Sequence, residues 1–215
     1  MRMHIALPFA AVMLAGCGAS DHSRFYVLTE NPAAASRATA TSPATTIGLG
    51  AVQLPAALDR PQMARRLNSD EISYSEYDRW AGPLDEMVRR VLMADLDGRL
   101  APGMALVENN PTSEATRTVA VDILRFDADE SGLVTLKARW ELLGRAGSLV
   151  GAPRNATIVK SGPGRDGEAV AATMSRSLAE LSGDIAAGLG AVAAIEPEDQ
   201  NRGKFDNDAS DLRGN

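Results

Sequence analysis

With 215 residues, 22 of them basic and 28 acidic, the chain has room for one ordinary domain plus tails and a net charge of −6. That balance argues against nucleic-acid binding, which needs a basic field to displace phosphate counterions. Aromatics make up only 4%, a single cysteine excludes an internal disulfide, and two histidines, His4 and His22, leave few parts for acid–base catalysis.

Residues 1–16, MRMHIALPFAAVMLAG, read as an export signal: Arg2 is a small positive start and Ile5 to Ala15 an apolar run broken only by Pro8. Such a run is too short to span a bilayer, which takes about 20 residues. Leu14-Ala15-Gly16-Cys17 follows, then Gly18-Ala19-Ser20, and this resembles the bacterial lipobox. The resemblance implies that Cys17 becomes the N-terminus and carries lipid on its sulfur and its amine. Neither Gly18 nor Ala19 is the Asp that resembles an inner-membrane retention signal, so the expected address is the outer membrane, on its periplasmic face. An ordinary secretory signal with an incidental cysteine is the bland alternative.

Ser23 to Thr29, SRFYVLT, predicts a first strand. Residues 31–46, NPAAASRATATSPATT, lack bulky apolar groups and read as a flexible loop. Thr46 to Leu54 returns to strand character. Pro55 and Pro61 then force a rigid turn, because neither can donate to a ladder. Gln62 to Leu67 is the next expected strand, Asn68-Ser69-Asp70 a turn, and Glu71 to Tyr74 a short hairpin partner.

Tyr77 to Pro83, YDRWAGP, leads into a helix whose apolar positions Leu84, Met87, Val88, Val91, Leu92, Leu96 and Leu100 recur every three or four residues. Met104 to Val107 predicts a short strand and Asn109 to Ser113 a turn-rich loop. Arg117 to Asp127 and Leu133 to Leu143 alternate as a long hairpin with one wet face, linked by DADESG. Arg154 to Lys160 predicts another strand. From Gly167 a second helical stripe runs through Val170, Met174, Leu178, Leu181, Ile185, Leu189 and Val192. Residues 196–215 are acidic and nearly free of bulky apolar groups, which reads as a disordered tail.

Motifs for chemistry are thin. Gly162-Pro163-Gly164-Arg165-Asp166-Gly167 matches the dinucleotide fingerprint G-x-G-x-x-G, but only one helix follows it, so a connecting loop is the reading. Asp127 to Gly132 resembles the start of a calcium loop, yet Ala138 stands where the twelfth-position acid belongs; a solvated hairpin tip is expected. No G-x-S-x-G elbow is present. No catalytic residue, metal ligand or cofactor is assigned. Arg60, Gln62, Arg65 and Arg79 are candidates for a partner-docking rim, against the blander readings of plain surface arginines or of salt-bridge partners for Asp59, Asp70 and Asp78. Trp80 is read as core.

The lipobox, then FYVL, V-x-LPAALDRPQMARRL and RWAGPLDEMVRRVLMADL, resembles the auxiliary lipoproteins of ABC-type and MCE transport systems, the PqiC/YmbA type, over Phe25 to Ile195. The resemblance implies an α/β domain over residues 17–195, a mixed sheet with two long helices packed on it. It implies no catalysis and no cofactor. Its partners would be an MCE-domain periplasmic protein and inner-membrane transporter subunits, with homo-oligomers possible and the lipid anchor holding the membrane. A periplasmic lipid- or solute-binding lipoprotein and an envelope hydrolase are the competing functions.

Overall fold

The computed structural model describes residues 22–31, 45–107, 115–145 and 147–195. Cys17, most of the expected 31–46 loop, the 109–113 loop and the acidic tail lie outside them. Eight strands form one mixed sheet, β1 (Arg24–Tyr26), β2 (Thr45–Gln53), β3 (Gln62–Arg66), β4 (Ile72–Trp80), β5 (Met104–Val107), β6 (Arg117–Asp129), β7 (Val134–Gly144) and β8 (Arg154–Lys160). Helices α1 (Leu84–Asp97) and α2 (Gly167–Ile195) cover one face, α1 over β2 and β5, α2 over β7 and β8 with a reach to β1. The expected α/β fold is the observed one.

β6 is the spine. Along one edge it pairs antiparallel with β7, which pairs on with β8. Its other edge is divided: the first half runs parallel to β2, while the last two residues run parallel to β3. β3 carries β4 and then β1 outward, so β1, β4 and β3 form a branch tied to the spine over a short register.

The strands alternate as the sequence suggests, with one local shift that decides the core. On β6, Val119, Val121 and Ile123 point inward, and then Phe126 and Ala128 do. A register shift between Ile123 and Arg125 flips the phase and leaves Leu124 59% exposed. Without it every later side chain of β6 would face the wrong way. On β7, Val134, Leu136, Ala138, Trp140 and Leu142 are buried and Lys137 and Arg139 exposed. Thr135, expected on the wet face, is buried. The helical stripes meet this sheet with Val88, Val91, Leu92 and Leu96 from α1, and Val170, Leu178, Leu181 and Ile185 from α2, all fully buried.

Several boundaries differ from expectation: β1 stops at Tyr26 and not at Thr29, and α1 ends at Asp97, short of Leu100. β2 begins at Thr45, inside the stretch read as loop. β4 is not a short partner ending at Tyr74 but continues through Trp80. Its extension is held by non-local pairing: Asp78, Arg79 and Trp80 register with Arg24, Phe25 and Tyr26 of β1, and the Trp80 N–H donates to the Pro61 carbonyl at 2.6 Å. The hairpin link is also shorter than DADESG, because β6 runs to Asp129.

That link closes on Asp129, whose Oδ1 accepts from the Ser131 N–H (2.9 Å), the Ser131 hydroxyl (2.6 Å) and the Leu133 N–H (3.0 Å), with Gly132 at φ +87°. Burial alone would raise its pKa, but these hydrogen bonds hold it below the usual carboxylate range. The acid that opened a calcium-like reading is thus spent on its own turn.

The G-x-G-x-x-G stretch is the β8–α2 connection. Asp166 caps α2, accepting the Ala169 N–H on Oδ1 at 2.9 Å. A Cβ on Gly167 would lie 2.6 Å from the Tyr26 ring, so the glycine there serves close packing.

Helix α2 carries three further glycines that the structure separates. A Cβ at Gly183 or Gly190 would meet nothing within 4 Å, whereas at Gly188 it would collide with Cη2 of the Trp140 indole and sit 2.8 Å from its Cζ2 and 3.0 Å from an Arg154 guanidinium nitrogen. Gly183→Ala and Gly190→Ala are expected to stabilise by about 0.5–1 kcal/mol through helix propensity. Gly188→Ala is expected to destabilise, since overpacking against a rigid buried ring costs about 1–3 kcal/mol. Thermal unfolding of the three variants checks this, and shifts of one sign in all three would refute it.

Candidate docking surface

The helices cover one face of the sheet, so the placement of each candidate side chain turns on which face it takes. Registered neighbours on adjacent strands share a face. Gln62 of β3 registers with Arg79 of β4, and Arg79 registers with Phe25 of β1. Their neighbours Met63, Asp78, Trp80 and Tyr26 point the other way, toward the helices: Met63 and Trp80 are buried, and Tyr26 packs against Gly167. Phe25, Arg79 and Gln62 therefore form a row on the uncovered face, three strands wide.

Arg60 joins this side. Its guanidinium stacks on the Tyr74 ring at 4.1 Å, and Tyr74 registers with Ala64, which shares the Gln62 face. The Tyr74 hydroxyl donates to the Ala57 carbonyl at 3.1 Å. In this way the LPAALD turn, with its short helical segment Ala56–Leu58, is pinned beside the row. The turn expected from Pro55 and Pro61 thus positions Arg60. A cleft of about 250 Å³ lies behind it, lined by Val52, Leu54, Leu58 and Leu84 with Asp59 and Asp85 at its edge.

Arg65 does not belong to the row. It registers with Ala128, on the helix side, and its guanidinium donates to the Arg165 carbonyl at 2.9 Å. Burial lowers its pKa while Asp78 and Asp166 pull the other way; an arginine remains charged throughout. Asp78 is buried and shared by Arg24 (3.0 Å), the Tyr26 hydroxyl (3.2 Å) and the Ser75 hydroxyl (3.1 Å). It is thus unavailable to Arg79, whose Nε is buried without a partner among the described residues. The blander pairing of these arginines with nearby acids in sequence fails at that position.

Among the described residues no group of three or more His, Cys, Asp or Glu side chains could hold a metal, and His22 is the one histidine described, at the exposed start of the domain. No helix of the described residues is long and apolar enough to cross a membrane.

A family model for the ABC-type transport auxiliary lipoprotein component matches residues 26–186. The chain belongs to that family. It is 26% identical over 157 residues to the intermembrane transport lipoprotein PqiC of Escherichia coli K12, covering 73% of this chain and 82% of that one, and equally to PqiC of Shigella flexneri. Among solved structures, protein XCC0632 from Xanthomonas campestris shares the fold at a TM-score of 0.63 and 18% identity, over 80% of this chain and 97% of that one. An uncharacterized protein does so at 0.65 and 19% identity, over 78% and 99%. The matched segment runs from Tyr26 into α2 and so contains Arg60, Gln62, Arg65 and Arg79.

Sequence reasoning missed Phe25 and Tyr74 as companions of the candidate arginines. Phe25 had a signal: in FYVL, Tyr26 and Leu28 take the inward positions, which leaves Phe25 and Val27 outward.

Proposed function

We propose that this chain is an outer-membrane lipoprotein, anchored through lipid on Cys17 after removal of residues 1–16, that docks the periplasmic conduit of an MCE-type intermembrane lipid transport system. Its role is that of a scaffold that turns over no substrate. The observation that carries the docking role is the row Phe25–Arg79–Gln62, extended by Arg60 on Tyr74, on the sheet face that neither helix covers. Arg and aromatic side chains are the groups that dominate protein interfaces. Family membership and the likeness to a lipoprotein named for intermembrane transport support the setting. MCE-domain and inner-membrane transporter subunits are the proposed partners, and the acidic tail after Ile195 lies outside the docking unit. The helix–sheet interface is filled by Leu92, Phe126, Leu136, Leu178 and Ile185, each nearly inaccessible, which favours docking over carriage of a lipid inside the domain.

A crosslinking pull-down of the full chain from intact envelopes, read by mass spectrometry, tests the proposal. The wild-type chain is expected to recover an MCE-domain protein. Arg60→Glu and Gln62→Lys should weaken that recovery, by roughly thirtyfold in affinity if either is a hot spot worth about 2 kcal/mol. Lys137→Glu, on the same face but three strands from β4, should leave it intact. Recovery of lipid with no protein partner would move the lipid-binding reading into first place.

A further inference from the structure

We propose that the domain rests on the membrane that anchors it through an apolar patch at the β1 edge, made by Phe25, Val27, Ala81 and Pro83. The inference deepens the proposed function and rests on the reading of Cys17 as the lipidated residue.

Phe25 is 64% exposed and Val27 51%, although both are large and apolar. The fold does not need them so. Tyr26 and Leu28 supply the inward contacts of this segment, Leu28 being completely buried. The rim of the neighbouring β4–α1 turn extends the patch, since Ala81 and Pro83 are both exposed and the Ala81 N–H donates to the Tyr26 carbonyl at 2.9 Å. Val27, Ala81 and Pro83 line an open cleft of about 560 Å³, with Arg89 and Arg90 along its side and Glu86 as its acid. Exposed apolar groups at the anchored edge match the interfacial zone of a phospholipid bilayer, where they meet acyl chains, while the flanking arginines are engaged within the fold, Arg90 with Glu30 and the Leu28 carbonyl and Arg89 with the Leu49 carbonyl.

Of the large exposed apolar side chains, Phe25 and Val27 lie nearest to Cys17 along the chain. From Cys17 to Phe25 is eight residues, so even fully extended the chain spans only about 28 Å. Val159 of β8 is comparably exposed at 54%, but it lies across the sheet through β4, β3, β6 and β7. Five strand spacings put it about 24 Å from Phe25 across the sheet. The patch is also held stiffly. Beyond β1 the chain is strapped to both helices: Arg90 donates to the Leu28 carbonyl (2.8 Å), the Thr29 N–H to the Ser175 hydroxyl (3.1 Å), and the Asn31 N–H to the buried Asp95 carboxylate (2.6 Å). A membrane contact at Phe25 and Val27 would therefore orient the whole domain and not a loose end. Phe25 registers beside Arg79, so with Phe25 given to the bilayer the protein-docking part of the row is Arg79, Gln62 and Arg60, beginning at the bilayer surface and running away from it.

The test places the photoreactive p-benzoylphenylalanine at Phe25 in one variant of the full chain and at Val159 in another. The matured proteins are reconstituted in vesicles of phosphatidylethanolamine and phosphatidylglycerol and irradiated. Intact mass first reports whether Cys17 is acylated. The expected result is an acylated protein with a phospholipid adduct at position 25 and none at position 159. Adducts at both positions, at neither, or a protein–protein adduct at 25 in place of lipid would overturn the patch while leaving the anchor standing. A mature mass without acyl groups would sink the anchor and the patch together.

Discussion

Asp127→Ala is expected to destabilise the domain by about 3–5 kcal/mol, because it removes a buried carboxylate shared by two partly exposed arginines. Asp127 is 2% exposed; its Oδ2 accepts from Arg66 Nε (3.0 Å) and Nη2 (2.9 Å), and its Oδ1 from Arg125 Nε (2.9 Å). Arg66 belongs to β3 and Arg125 to β6, so one carboxylate ties the β1–β4–β3 branch to the spine. The backbone tie there is brief, Arg65 with Ala128 and Arg66 with Asp129. Without Asp127 the branch should open before the rest unfolds, and Phe25, Gln62 and Arg79 would lose their common frame. Urea denaturation measures the total loss, and hydrogen exchange over residues 62–80 shows whether the branch goes first. Asp127→Asn keeps an acceptor and should cost less. A loss below about 1 kcal/mol for Asp127→Ala would mean that the pair is no more than a surface ion pair.

What the sequence discloses about this branch is uneven, and the reasons are physical. The β6–β7 hairpin, β8 and both helices follow from period-2 and period-3.6 patterns, which act over a few residues, and β8 is found at Arg154–Lys160 as expected. The far half of β4 is held by β1, about fifty residues earlier, and no local pattern in YDRW announces that partner. Register shifts hide in the same way. Asp127 looked like part of a solvated tip, and only the shift after Ile123 turns its side chain to Arg66. For the candidate site, Gln62 and Arg79 were named from composition but were not known to be neighbours. They meet because β4 bulges between Tyr74 and Arg79, where Ser75 and Asp78 bond each other. The placement of Arg65 on the opposite face, by contrast, was within reach, since alternation along Gln62–Arg66 already separates positions 62 and 65.

Cys17→Ala is expected to remove the chain from the outer-membrane fraction altogether. Each buried CH2 of an acyl chain contributes about 0.8 kcal/mol to membrane binding, and more than one chain is needed for stable anchoring. The folded domain offers no replacement of that size: no helix of the described residues can span a bilayer, and a patch of only four apolar side chains, Phe25, Val27, Ala81 and Pro83, covers little area. On the proposed reading of residues 14–17 as a lipobox, the variant should also keep residues 1–16, because removal of that segment would follow modification of Cys17. Density fractionation of envelopes, combined with the mass of the recovered chain, separates the cases. An unprocessed chain away from the outer membrane fits the anchor. A processed Cys17→Ala chain that fractionates normally with the outer membrane would show that something other than lipid at Cys17 places this protein, and the docking geometry would then have to be oriented afresh.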